Sequence, residues 1–232
     1  AKRLEEIPTL GISSAVNQAS FPMYARLQDD KTALFLAVRK YVRALSLLVI
    51  PLYFLFILVA EPLITILFTE KWIESVDLFK ILCFVGMIYP INTVNTNVIK
   101  SLGKGKLYFN LQLWKRVLGI ALILFSVRYG LSAMMWSLVI TSYIIFMINA
   151  IFSDKLIGYS FIRQIGDAFM PFAISIIIMC LVYPISLLQI NSYYAAIFQA
   201  VLFMLCYVLI MRLFKVNIVK DIFAQIKLLK LK

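Results

Sequence analysis

Long apolar runs recur along this chain at lengths that fit a lipid bilayer, and they constrain it more than anything else in the sequence. Crossing about 30 Å of hydrocarbon takes about 20 residues of α-helix. Seven runs qualify by length: Ile7–Leu27, Val42–Phe68, Val76–Ile99, Asn110–Val127, Leu131–Phe152, Ala168–Leu188 and Tyr193–Leu213. The first is the most polar, with Ser13, Ser14, Asn17, Gln18 and Ser20 between Pro8 and Pro22. Hydrophobic residues make up 63% of the chain and charged ones 15%, with a mean hydropathy of +0.94. A soluble domain has about 45–50% apolar and about 25% charged residues. The excess is too large for one buried core. The expected fold is an all-α integral membrane protein of about seven transmembrane helices, and a water-soluble enzyme is excluded.

Other absences narrow the chemistry. The chain has no histidine, which removes His-based nucleophilic triads and the commonest metal ligand. Cys83, Cys180 and Cys206 lie far apart inside apolar runs and read as small hydrophobes rather than a metal or redox pair. The expectation is no metal and no cofactor.

The net charge of +12 would suggest nucleic acid in a soluble domain. In a multi-pass membrane protein it reads instead as basic cytoplasmic loops, with no nucleic-acid partner. With the runs taken as alternating crossings, 18 Lys and Arg residues fall on one side and 5 on the other. That bias predicts a cytoplasmic C-terminus in the plasma (inner) membrane, with membrane lipids as partners. The chain opens on Ala1 without a signal-peptide pattern, so it is expected to be a piece of a longer protein with an odd number of spans upstream. Two segments, Asp29–Arg43 and Val216–Lys232, read as basic amphipathic helices on the inner leaflet.

Polar groups inside apolar runs face a cavity or another helix. Asn17 and Gln18 in the first run, and Asn92, Asn95 and Asn97 after Pro90 in the third, are open to both readings: helix–helix hydrogen bonding or a polar cavity. Lys115 and Arg116, beside Trp114, read first as cations snorkelling to the inner interface. Glu61 is the carboxylate enclosed by a long apolar run, a candidate for ion coupling, although an interfacial position also explains it. No paired carboxylates occur at catalytic spacing and no phosphate-binding Gly loop precedes a basic helix, so no enzyme motif is present.

The segments AKRLEEIP, FPMYARLQDD, AEPLITILFTEKW and PINTVNTNVIKSLGKGK, in that order, resemble the C-terminal half of Wzx-type flippases. These are O-antigen and capsule-unit transporters of the multidrug/oligosaccharidyl-lipid/polysaccharide exporter superfamily, which act in lipopolysaccharide and polysaccharide biosynthesis. The one departure is Thr69, where the resembling loops carry glycine. The resemblance implies a lobe over residues 1–152, two added spans over 153–214 and a cytoplasmic basic tail over 215–232. It also implies a missing N-terminal lobe that faces this one across a cavity. The implied cargo is an undecaprenyl-diphosphate-linked oligosaccharide moved by alternating access. Arg3, with Lys2 beside it, matches a cavity arginine of similar peptidoglycan-precursor flippases, and Asn17, Gln18, Asn92 and Asn95 would be sugar contacts. The runner-up is an ion-coupled drug or metabolite antiporter of the same superfamily, for which Glu61 would serve. A membrane enzyme acting on lipid-linked sugars fits less well, because the loops Thr69–Ser75, Val127–Gly130 and Gln189–Ser192 are short.

Overall fold

The computed structural model describes residues 2–187 and 192–214. The Val216–Lys232 tail lies outside the described residues. Among those described, all regular structure is helical: α1 (Lys2–Arg26), α2 (Lys31–Leu58), α3 (Ala60–Phe68), α4 (Ser75–Ser101), α5 (Gly105–Ser126), α6 (Leu131–Ile157), α7 (Phe161–Val182) and α8 (Ser192–Leu213). Six of them, all but α1 and the short α3, are long and apolar enough to span a membrane.

α1 has the length of a span but not the hydropathy, and its packing explains why. Its inward stripe is Glu5, Thr9, Ser13, Val16 and Ser20, all buried, while Ile7 and Leu10 point outward. Small polar residues let helices approach closely where lipid supplies no hydrophobic drive between them. The stripe lies along α4, where the Asn97 side-chain amide donates to Ser20 Oγ at 2.9 Å.

α4 is the axis of the bundle, with α1, α2 and α6 against it. Pro90 does not break it: the helix is continuous from Ser75 to Ser101. The carbonyl that Pro90 leaves without its usual partner is that of Gly86, four residues back. Gly86 is also where the buried Tyr53 ring of α2 seats itself; a Cβ there would fall 2.2 Å from that ring. Glycine is needed at this position for close approach, not for backbone freedom.

Two sequence expectations are corrected here. Asp29–Arg43 is not a separate surface helix. Asp30 caps α2, accepting from the backbone N–H groups of Thr32 and Ala33, and the helix runs unbroken to Leu58. Leu34, Ala37, Val38 and Val42 along it are buried, so tertiary packing outweighs the basic pattern. The run Val42–Phe68 is likewise two helices, α2 and α3, parted at Val59.

α7 is fastened to α2 by charge. Asp167, with its side chain 6% exposed, accepts from Arg39 Nε at 2.8 Å and Nη2 at 3.1 Å, and lies 3.2 Å from Arg43 Nε. The Tyr159 hydroxyl donates to the same carboxylate at 2.9 Å. Burial, reinforced by Asp167, pushes that phenol well up, so it keeps its proton. Deeper along the seam Phe54 meets Phe172 edge-on, centroids 5.4 Å apart. α8 adds a bond from the Tyr207 hydroxyl to the Leu47 carbonyl at 2.8 Å.

Candidate functional site

α4, α5 and α6, with Asn17 of α1 at one edge, enclose an open cavity of about 360 Å³. Its wall is mixed: Asn92, Thr93, Thr96 and Asn97 from α4, Gln112 from α5 and Ser142 from α6 are polar, while Ile88 and Tyr89 of α4 and Ile145 of α6 are apolar or aromatic. Three cations line it, Lys100, Lys115 and Arg116, and no Asp or Glu does.

Two of these cations, Lys115 and Lys100, meet neutral groups. Lys115 Nζ donates to Asn149 Oδ1 at 2.5 Å. Asn149, itself fully buried, donates in turn to Asn92 Oδ1 and, at 3.2 Å, to Thr96 Oγ1. Lys100 Nζ stands 4.8 Å from the centre of the Tyr108 ring. An ammonium has three donors, and the amide oxygen of Asn149 satisfies one of those on Lys115. Burying an unpaired charge is expensive, so an anion entering this cavity finds its countercharge already in place.

This corrects the snorkelling reading of Lys115. The residue lies about 15 Å along α5 from Gly105, at about 1.5 Å per residue, and is 7% exposed. It does not reach for the helix end; the amides of α4 and α6 draw it into the bundle. The α5 turns on either side show their apolar residues outward, Leu113 and Trp114 at 48% and 72% exposed.

The other residues singled out from sequence fall in several places. Asn17 and Asn92 line the cavity. Asn95 does not: it pairs reciprocally with Gln164 of α7, at 2.8 and 3.1 Å, and ties α4 to α7. Gln18 is exposed on α1 and donates to Ser14 at 3.2 Å. Lys2 and Arg3 begin α1, and their side chains lie outside the described residues. Glu61 is exposed in the first turn of α3, away from the cavity lining. The carboxylates that are buried are Glu5, which accepts from Thr9 Oγ1 at 2.7 Å, and Asp167. Sequence reasoning passed over Lys100 and Asn149. The signal for Lys100 was a lysine one turn after the Asn92–Asn97 cluster on the same helix; nothing in the sequence marks Asn149.

Comparison with known proteins bears on this arrangement. The sequence model of a family described as "Polysaccharide biosynthesis protein" matches residues 1–77. The lipopolysaccharide biosynthesis protein WzxC of Escherichia coli (strain K12) is 21% identical over 175 residues, covering 73% of this chain and 35% of that protein. The chain is thus similar, over part of its length, to membrane proteins of polysaccharide biosynthesis. The teichuronic acid biosynthesis protein TuaB of Bacillus subtilis (strain 168) is 27% identical over 109 residues, 47% of this chain and 23% of TuaB. A membrane protein of the cps region of Klebsiella pneumoniae is 23% identical over 190 residues, 76% of this chain and 38% of that protein. The match thus spans well under half the length of each relative. No solved structure matches.

Proposed function

We propose that this chain supplies one lobe of an exporter that carries a lipid-diphosphate-linked oligosaccharide, of the undecaprenyl kind, from the inner to the outer leaflet by alternating access. It acts as a transporter and not as an enzyme. Residues 1–152 form the lobe and 153–214 the added spans, with the C-terminus cytoplasmic and an N-terminal lobe of the same protein opposite. The observation that carries this is the cavity: three cations, no carboxylate and a wall rich in amides and hydroxyls, set among helices apolar enough to cross a membrane.

The division of labour follows from chemistry. A diphosphate needs cationic donors in a low-dielectric setting; Arg116 offers a bidentate fork, while Lys100 and Lys115 act as point charges. Asn17, Asn92, Thr93 and Gln112 present the mixed donors and acceptors that sugar hydroxyls require. Arg3 and Lys2 would add to the anion site from the start of α1, and Asn95 and Gln18 would support the wall. Alternating access then swings one lobe against the other around this site.

The test is export by the full-length protein. Lys115→Met should lower exported polysaccharide about tenfold or more, the worth of one charged hydrogen bond, with membrane insertion unchanged. Wild-type export from that variant refutes the cavity as the diphosphate site. Orientation has its own check: a cysteine replacing Lys104, between α4 and α5, should resist an impermeant thiol reagent added outside intact cells.

A further inference from the structure

We infer that Tyr89 is the platform on which the cavity reads the sugar joined directly to the diphosphate, its ring stacked on the C–H face of one pyranose. The inference rests on the function proposed above and names the part of the cargo that the cavity selects. The cavity is graded along its length. Tyr89, Thr93, Thr96 and Lys100 all line it, and at about 100° per residue they fall within about 60° on one face of α4. Lys100 marks the charged end, and Tyr89 stands about 16 Å from it along the axis. Lys115, tied through Asn149 to Asn92 and Thr96, places its ammonium level with the turns between. Tyr89 lies about 5 Å beyond Asn92 along α4, with the uncharged Ile88 of α4 and Ser142 and Ile145 of α6. A diphosphate held at the cations therefore leaves the group bonded to it at Tyr89.

Two tyrosines line the cavity, and they differ in what covers them. The Tyr108 ring has the ammonium of Lys100 at 4.8 Å from its centre. Tyr89 is 43% exposed, and among the described residues no ring, cation or hydrogen-bond partner meets its side chain. It sits near the middle of α4, about 18 Å from one end and about 21 Å from the other. A free hydroxyl at that depth is costly against hydrocarbon, so the ring belongs to the cavity and its contents. The hydroxyls around it identify those contents. Thr93 already donates its proton to the Tyr89 carbonyl at 3.1 Å, and Ser142 donates to the Leu138 carbonyl at 2.8 Å. Each keeps only its lone pairs for a ligand, so this end of the cavity asks for donors. A phosphate oxygen has none, and an isoprenoid chain would cover the ring but leave the acceptors unmet. A pyranose supplies both: ring C–H bonds for the aromatic face and O–H donors at its rim.

The experiment measures binding of two probes to the full-length protein in phosphatidylcholine nanodiscs: undecaprenyl diphosphate alone, and the same lipid carrying one N-acetylglucosamine. The wild type should bind the glycosylated probe about fivefold more tightly, the size of effect one aromatic contact gives. Tyr89→Ala should bind both probes alike, at the wild-type affinity for the bare lipid. Tyr89→Phe should keep most of the preference. Lys115→Met should weaken both probes by the same factor and leave their ratio intact, which separates the sugar subsite from the anion site. A preference that survives Tyr89→Ala, or a wild type that binds both probes alike, overturns the assignment. An equal loss of both probes in Tyr89→Ala would seat the isoprenoid chain on the ring and overturns it too. Failure of the wild type to bind either probe is a different result: it overturns the transport reading, and this inference with it.

Discussion

The cavity and the α2–α7 seam each bury a charged side chain to a similar degree and treat it in opposite ways. Asp167, 6% exposed, has two guanidinium groups and a phenol around it. Lys115, 7% exposed, has an amide oxygen, and no carboxylate lines its cavity. A charge surrounded by its opposites is a fastening, and removing it leaves others stranded. A charge held by neutral dipoles is a receptor, since its strongest partner has yet to arrive. Burial alone would have classed the two together.

The sharpest way to break this contrast is to convert one region into the other. Asn149→Asp puts a carboxylate where the amide now holds Lys115, giving the cavity an internal ion pair. Export by the full-length protein should fall about tenfold, because an incoming anion must compete with the introduced carboxylate for the ammonium. The thermal unfolding midpoint should hold or rise. If export and stability both stay as in the wild type, Lys115 is no receptor. Lys115→Met offers a companion check on the stability side: it removes a buried charge that no ion pair compensates, and should leave the midpoint unchanged or higher.

Asp167→Asn should do the reverse. Breaking a fully buried ion pair costs about 3–5 kcal/mol. Arg39 and Arg43 are half-exposed, so solvent screens much of that, and about 1–2 kcal/mol of lost stability is expected. The loss should appear as a lower unfolding midpoint and lower membrane abundance, with export per molecule close to normal. A large fall in export at constant abundance would move the seam from fastening to function.

Much of the fold was legible in sequence, because length and hydropathy are additive along a segment. Six of the seven apolar runs correspond to helices able to span a membrane, and α1 appeared polar because its polar stripe is turned inward. What sequence left open is pairing at long range. Nothing local distinguishes Asn92, which lines the cavity, from Asn95, which bonds Gln164 sixty-nine residues away. Lys115 and Asn149 are thirty-four residues apart on different helices. A lysine inside an apolar run therefore looks like a snorkelling cation until its neighbours are known. Asp29–Arg43 misled for a related reason: its basic residues were read as facing the lipid surface, when two of them face a carboxylate on α7.

The smallest predicted effect tests a turn, and it sets two loops on the same side of the bundle against each other. Thr69, between α3 and α4, adopts φ 73° and ψ 166°, and Gly130, between α5 and α6, adopts φ 90° and ψ 179°. Among the described residues Thr69 is the one non-glycine with positive φ. A β-branched residue in this region stores about 1–3 kcal/mol. Glycine would relieve that at an entropic cost of about 0.5–1 kcal/mol. Thr69→Gly should therefore stabilise by about 1 kcal/mol, read as a raised unfolding midpoint with no change in export. Gly130→Thr, which has open space for the side chain, should lower the midpoint by a similar amount. Equal midpoints for Thr69→Gly and the wild type would mean that the turn relaxes in the membrane to a conformation threonine accepts.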